Sequence, residues 1–182
     1  MPSPLAHSIA GALLMSGYLG NNRDPRILFG LSWPALFAVT TVLSLLPDLP
    51  TVAGLFTGDL AAYHNKQEHS LLAGLMVSAA VAWLFSLATS TRWRHWFALT
   101  LACYWLHLGM DYLTVGRGVM ALWPWSHERF GSPIRLFYGL HWSEGWRSWR
   151  HLTTVVTEAM LLGAVSALIL WRRSLKRDST RS

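Results

Sequence analysis

The stretch LLAGLMVSAAVAWLFSLAT, residues Leu71–Thr89, decides the fold class. It contains no Lys, Arg, Asp or Glu, and its 19 residues suffice for one helical crossing of a bilayer, which takes about 20. Working outward, four further segments share its character: Leu5–Gly20, Ile27–Leu46, Trp96–Thr114 and Thr153–Trp171. The last three are long enough to span. The first, at 16 residues, reads as a short span, a re-entrant helix or a helix packed on the others. It is not a secretory signal, because no Lys or Arg precedes it and His7 interrupts its start. Composition agrees. Of 182 residues 52% are hydrophobic and 13% charged, where a soluble domain carries about 25% charge. Disorder is excluded by the same figures, and the single Cys103 excludes an internal disulfide framework or a multi-thiolate zinc site. The expected fold is an all-α polytopic membrane bundle of four to five transmembrane helices with an interfacial Trp-rich segment. Residues 1–175 form one integral-membrane domain and 176–182 a basic cytoplasmic tail.

The formal net charge is +6, and its placement argues for orientation rather than for a nucleic-acid footprint. Arg23, Arg26, Arg92, Arg94, Arg172, Arg173, Lys176, Arg177 and Arg181 fall on one side of the segments, in short loops and the tail. Lys66, Arg117, Arg129, Arg135, Arg147 and Arg150 fall on the other, spread over longer loops. Short basic loops stay cytoplasmic, so the tail is expected inside, and residues 48–70 and 115–152 outside. Trp142, Trp146 and Trp149 share one helix face by spacing, which reads as an in-plane amphipathic helix at headgroup level. Trp93, Trp96 and Trp171 read as an ordinary aromatic belt.

Ionisable groups are costly beside lipid and each asks for a reason. His107 and Asp111 are spaced i, i+4, so both lie on one helix face and suit a metal. The alternative is an interfacial Asp paired with a buried His. The charge-derived topology also places His7, Asp48, His64 and His69 at the same outer face, although none of them was used to derive it. Random placement would scatter six such groups over both sides, so the convergence reads as a site. Neutral imidazoles and carboxylates suit zinc, and also manganese or iron. Six candidate ligands exceed the usual three of one catalytic zinc, which allows one or two ions. Ser70 is placed to cap the helix that follows it. Glu68 reads as a general base or as a solvated acid, and Glu158 as a member of the site or a partner of His151. His141 with Glu144 is a weaker metal pair, His95 and His127 read as solvated, and Cys103 as a packed small residue. No phosphate-cradling Gly-x-x-x-x-Gly-Lys loop, His-Glu-x-x-His or Gly-x-Ser-x-Gly elbow is present.

The runs Pro4-Leu5-Ala6-His7-Ser8, Leu46-Pro47-Asp48-Leu49, Tyr63-His64, Glu68-His69-Ser70-Leu71 and His107-Leu108-Gly109-Met110-Asp111, followed by Gly118, Leu122-Trp123-Pro124-Trp125-Ser126 and Arg129-Phe130, resemble the bacterial YdjM-type family. The resemblance covers residues 4 to 130. It implies an inner-membrane, metal-dependent hydrolase, in some members LexA-regulated, with the metal on the matching His and Asp residues. Two departures stand out. The family often shows Pro-Asp-Leu-Asp, where this chain has Pro50 in place of the second acid, leaving Asp48 as that motif's only carboxylate. The family's His-Arg-Gly-x-Thr-His-Ser reads His64-Asn65-Lys66-Gln67-Glu68-His69-Ser70 here. The order His, Asp, His, His-x-x-x-Asp also resembles zinc-dependent phospholipases C, an analogy that implies phosphoester chemistry on a lipid.

The expected function is therefore hydrolysis by metal-activated water of a phosphoester or lipid-like substrate at one membrane face. In that reading Asp48 is a ligand or the base, and Arg129, Arg135 or Arg147 steers an anion. Its partners are membrane lipids and that substrate, and no nucleic acid. The competing readings are a non-catalytic membrane protein, with a structural metal or a polar network tying its helices, and a metal or proton carrier. The carrier ranks last, because the inner halves of the segments lack polar residues. A reporter active only in the periplasm, fused after Ser182, should give no signal; strong activity would reverse the topology.

Overall fold

The computed structural model describes residues 1–20, 24–59, 63–140 and 148–179, without the side chains of residues 55 and 172–179. Among them the chain is all-helical. The helices are α1 (Pro4–Leu19), α2 (Pro25–Phe29), α3 (Trp33–Ser44), α4 (Thr51–Thr57), α5 (Leu71–Thr89), α6 (Trp93–Tyr112) and α7 (Arg150–Ser179). Two isolated bridges, Thr114 to Phe137 and Val119 to Phe130, are the only strand-like pairings among the described residues.

The helix boundaries follow local chemistry. Ser3 caps α1, its hydroxyl accepting from the Ala6 amide, and Ser70 caps α5 in the same way through the Ala73 amide, as expected. The expected span over 27–46 is broken. Gly30 ends α2 in the left-handed conformation that a side chain resists, and α3 restarts behind Ser32 with Pro34 in its first turn. At the other end α3 tightens into a 3₁₀ turn, Leu46–Asp48. There the Asp48 amide bonds the Leu45 carbonyl rather than that of Ser44, its partner in a continuing α-helix. The Ser44 carbonyl is left for a side chain.

Helix α6 is the centre, packed against α1, α3 and α5, while α7 lies on α1. Small residues permit the closest approaches. A Cβ on Gly11 of α1 would overlap the Ser44 hydroxyl and stand 3.0 Å from the Ser44 Cβ, and one on Gly74 of α5 would stand 2.9 Å from the Trp105 indole nitrogen. One apolar core gathers Met15, Leu19, Phe29, Leu36, Leu43, Ala82, Trp96, Leu99 and Cys103. Trp96 is thus not part of an interfacial belt. It is fully buried, its indole N–H donating to the hydroxyls of Thr89 and Thr91, whereas Trp93 and Trp171 are exposed as a belt requires. A second core of Ala6, Ala10, Met110, Phe137 and Leu162 sits near the other end of α1 and α6.

Among the described residues, two helical stretches are long and apolar enough to cross a membrane, Leu71–Thr89 and Arg150–Trp171, and Trp33–Ser44 with Leu46–Gly54, bent by 48°, would make a third. That is fewer than the four to five expected. Helix α1 is too short, and α6, although 20 residues long, carries Arg94, His95, His107 and Asp111. Nine residues of α6 are buried by its neighbours. Only 17% of each long span is buried inside the protein, so these two helices present apolar surface outward, as lipid contact requires. The in-plane helix expected from Trp142 and Trp146, like His141, Glu144, Arg147, Arg23 and Arg181, lies outside the described residues. Gly11→Val should cost about 1–3 kcal/mol through overpacking, read as a lowered thermal midpoint in detergent.

Candidate metal centre

All six expected residues meet at one end of the bundle, where α1 and α5 begin and α3 and α6 end. His7 and His69, on or just ahead of the starting turns, are 1% and 0% exposed, and His107 and Asp111, one turn apart on α6, are 1% and 4% exposed. Both α6 side chains thus face inward as expected. Asp48 comes from the 3₁₀ turn after α3, and His64 and His69 from the loop entering α5.

The carboxylates stand at the middle. Asp48 Oδ1 lies 3.0 Å from His64 Nδ1, 3.4 Å from His69 Nε2 and 3.6 Å from His107 Nε2. Asp111 lies 3.7 Å from His7 Nε2 through Oδ1, and 3.2 and 3.7 Å from His69 and His107 Nε2 through Oδ2. The His7 and His107 rings stack at 3.7 Å between centroids and 11° between planes, an approach that the small residues Ala6, Ala10 and Gly11 on the buried face of α1 allow.

The outer edges of two rings are fixed. His107 Nδ1 donates to the Ser44 carbonyl at 2.8 Å, the group freed by the 3₁₀ turn. A carbonyl only accepts, so in the neutral ring Nε2 carries the lone pair and points at two carboxylates. His69 Nδ1 faces Glu68 Oε1 at 3.3 Å, which sets the same tautomer. Glu68, read as a general base or a solvated acid, stands against His69 and orients it. Burial pushes the Glu68 carboxyl up, but the His69 ring and the Lys66 amide outweigh this and hold it below the ordinary carboxylate value.

A lone pair aimed at a carboxylate oxygen is repulsive unless a cation or a proton lies between them. Buried with no hydrogen-bond partner are both oxygens of Asp48 and of Asp111, both ring nitrogens of His7, and Nε2 of His69 and His107. Such atoms are costly in a protein interior. A divalent ion satisfies them together, and an imidazole–carboxylate donor set suits it. The groups His7–Asp48–His107, Asp48–His64–His69 and His69–His107–Asp111 are each compact enough to hold one.

A family model described as YdjM inner membrane protein matches residues 1–178. The chain belongs to that family. The family member described here is also similar to inner membrane protein YbcI of Escherichia coli (strain K12), at 30% identity over 140 residues, 73% of each chain. No solved structure matches it. Membership and the apolar helices together make it an integral protein of the inner membrane.

Several side chains of this YdjM-family protein take roles that spacing did not disclose. Arg129 donates to the carbonyls of Asn65 and Gly118, and Arg135 to those of Tyr112 and Thr114, so both strap the 114–135 loop over the site's end of the bundle. Asn65, in the left-handed region at φ 56°, donates to the Gly118 carbonyl, and the Thr51 hydroxyl lies 3.3 Å from His64 Nδ1. Glu158 does not join the cluster. Its carboxylate accepts from the Ser3 amide and hydroxyl, which ties α7 to the start of α1. The half-buried His95 meets the Tyr18 hydroxyl rather than open solvent, His127 is exposed, and Cys103 is a packed core residue. Only the acidity of Glu68 beside His69 could have announced the orienting contact. Glu68→Ala should weaken metal binding roughly 10–100-fold, measured by chelator competition, while Glu68→Gln, which keeps an acceptor for Nδ1–H, should retain most of it.

Proposed function

We propose that this protein is a metal-dependent hydrolase of the inner membrane, acting on a phosphoester or lipid-like substrate at one membrane face. The observation that carries the reading is the convergence of unpartnered, buried imidazole and carboxylate atoms from four segments. Zinc is the first candidate, because a site of four imidazoles and two carboxylates matches its preferences. A divalent ion held there lowers the pKa of a coordinated water and polarises the scissile group. His7, Asp48, His64, His69, His107 and Asp111 are the proposed ligands. Asp48, whose Oδ1 faces His64, His69 and His107, is a proposed ligand or the base that orients the attacking water. Glu68 holds His69 in the ligating tautomer, and Ser44 does the same for His107. The basic tail is assigned to the cytoplasm and the site to the outer leaflet, by the distribution of Lys and Arg.

The test uses protein in lipid nanodiscs loaded with zinc or manganese, offered p-nitrophenyl phosphate and phosphatidate vesicles. Phosphate release should require the metal, stop with chelator and fall at least 100-fold in Asp48→Ala. Metal-loaded wild-type protein that cleaves neither substrate would end the hydrolase reading.

A further inference from the structure

The three ligand groups overlap, and the overlap has a chemical consequence. An imidazole nitrogen has one lone pair and serves one ion, whereas a carboxylate has two oxygens and can serve two. His69 has only Nε2 to offer, because Nδ1 faces Glu68, and His107 has only Nε2, because Nδ1 is held by Ser44. The groups Asp48–His64–His69 and His69–His107–Asp111 therefore cannot both be filled, and neither can His7–Asp48–His107 and His69–His107–Asp111. The remaining pair, His7–Asp48–His107 with Asp48–His64–His69, shares nothing but the Asp48 carboxylate. Asp111 adds a second carboxylate that reaches both halves, with Oδ1 3.7 Å from His7 Nε2 and Oδ2 3.2 Å from His69 Nε2.

We propose that the centre is dinuclear, with His7 and His107 on one ion, His64 and His69 on the other, and Asp48 and Asp111 bridging them. The inference rests on the metal-binding reading above and deepens it. Ring placement supports the split. His7 and His107 stack at 3.7 Å and His64 and His69 pair edge-to-face at 5.0 Å, with the two pairs meeting where His69 lies 5.3 Å from His107. The absence of an acid at Pro50 does not remove the second ion, because the two shared carboxylates already serve both positions. His64 is the one imidazole of the four whose side chain is exposed at all, at 7% against 0% for His7, His69 and His107. The ion on His64 and His69 is accordingly the more readily exchanged.

The experiment strips the full-length protein with chelator in detergent, titrates it with Zn²⁺ and counts bound metal after desalting; Mn²⁺ loading gives a spin readout. Two equivalents per chain are expected for wild type, with an exchange-coupled Mn²⁺ spectrum. His64→Ala should keep one equivalent and show the six-line spectrum of an isolated Mn²⁺, His7→Ala should keep the other, and His95→Ala should keep both. A single equivalent in wild type, lost alike in His7→Ala and His64→Ala, overturns the dinuclear centre and leaves the hydrolase reading standing. No bound metal in wild type overturns both. Because wild-type stoichiometry alone decides between these, a variant that fails to fold does not blunt the test.

Discussion

Two buried carboxylates set the terms for this fold. Asp48 and Asp111 sit among four imidazoles at distances of 3.0–3.7 Å, inside a protein whose outward surface is largely apolar. Charge in such a place is tolerated only when opposite charge or hydrogen-bond donors surround it. The bundle provides that surrounding by ending α3 and α6 where α1 and α5 begin, so that four chain segments deliver their polar residues to a single point while the rest of each helix stays apolar.

Positioning these groups accounts for features that would otherwise look like defects. Helix α3 stops short and turns through 48°, which places Asp48 in the cluster and frees the Ser44 carbonyl for His107. Gly11 lowers the helix propensity of α1, yet it lets α1 close on Ser44 at the end of α3, beside the His7–His107 stack. The polar residues of α6 disqualify it as a lipid-facing span, and the same residues are harmless at the centre, shielded by α1, α3 and α5. The long loop after α6, strapped by Arg129 and Arg135 to backbone carbonyls, covers that end of the bundle.

Membership of the YdjM inner membrane protein family places the chain in the inner membrane, and its chemistry has to be argued from the cluster. Ring edges fixed by Ser44 and Glu68 leave lone pairs aimed inward at buried carboxylates, an arrangement that suits a metal ion. The proposed hydrolase and its two shared carboxylates both follow from this one arrangement of donors.

By itself the sequence determined that the chain is helical and membrane-embedded, because apolar runs such as Leu71–Thr89 have no other stable home. It also pointed to six His and Asp residues that the fold gathers, since alternation of helix direction brings the start of α1, residues before α5 and the ends of α3 and α6 to one face. It could not say how many helices meet lipid: hydropathy does not reveal that α6 is sheathed by its neighbours, nor that Gly30 and the Ser32–Pro34 run divide the second segment. Trp96 looked interfacial because its burial depends on Phe29 and Phe85 reaching it from other helices. Glu158 read as a site member or a partner of His151 because nothing local announces Ser3 as its partner, 155 positions away. Which nitrogen of each ring faces inward, and which carboxylate can be shared, was decided only in three dimensions, because hydrogen bonds to Ser44 and Glu68 select the tautomers and depend on where α3 ends.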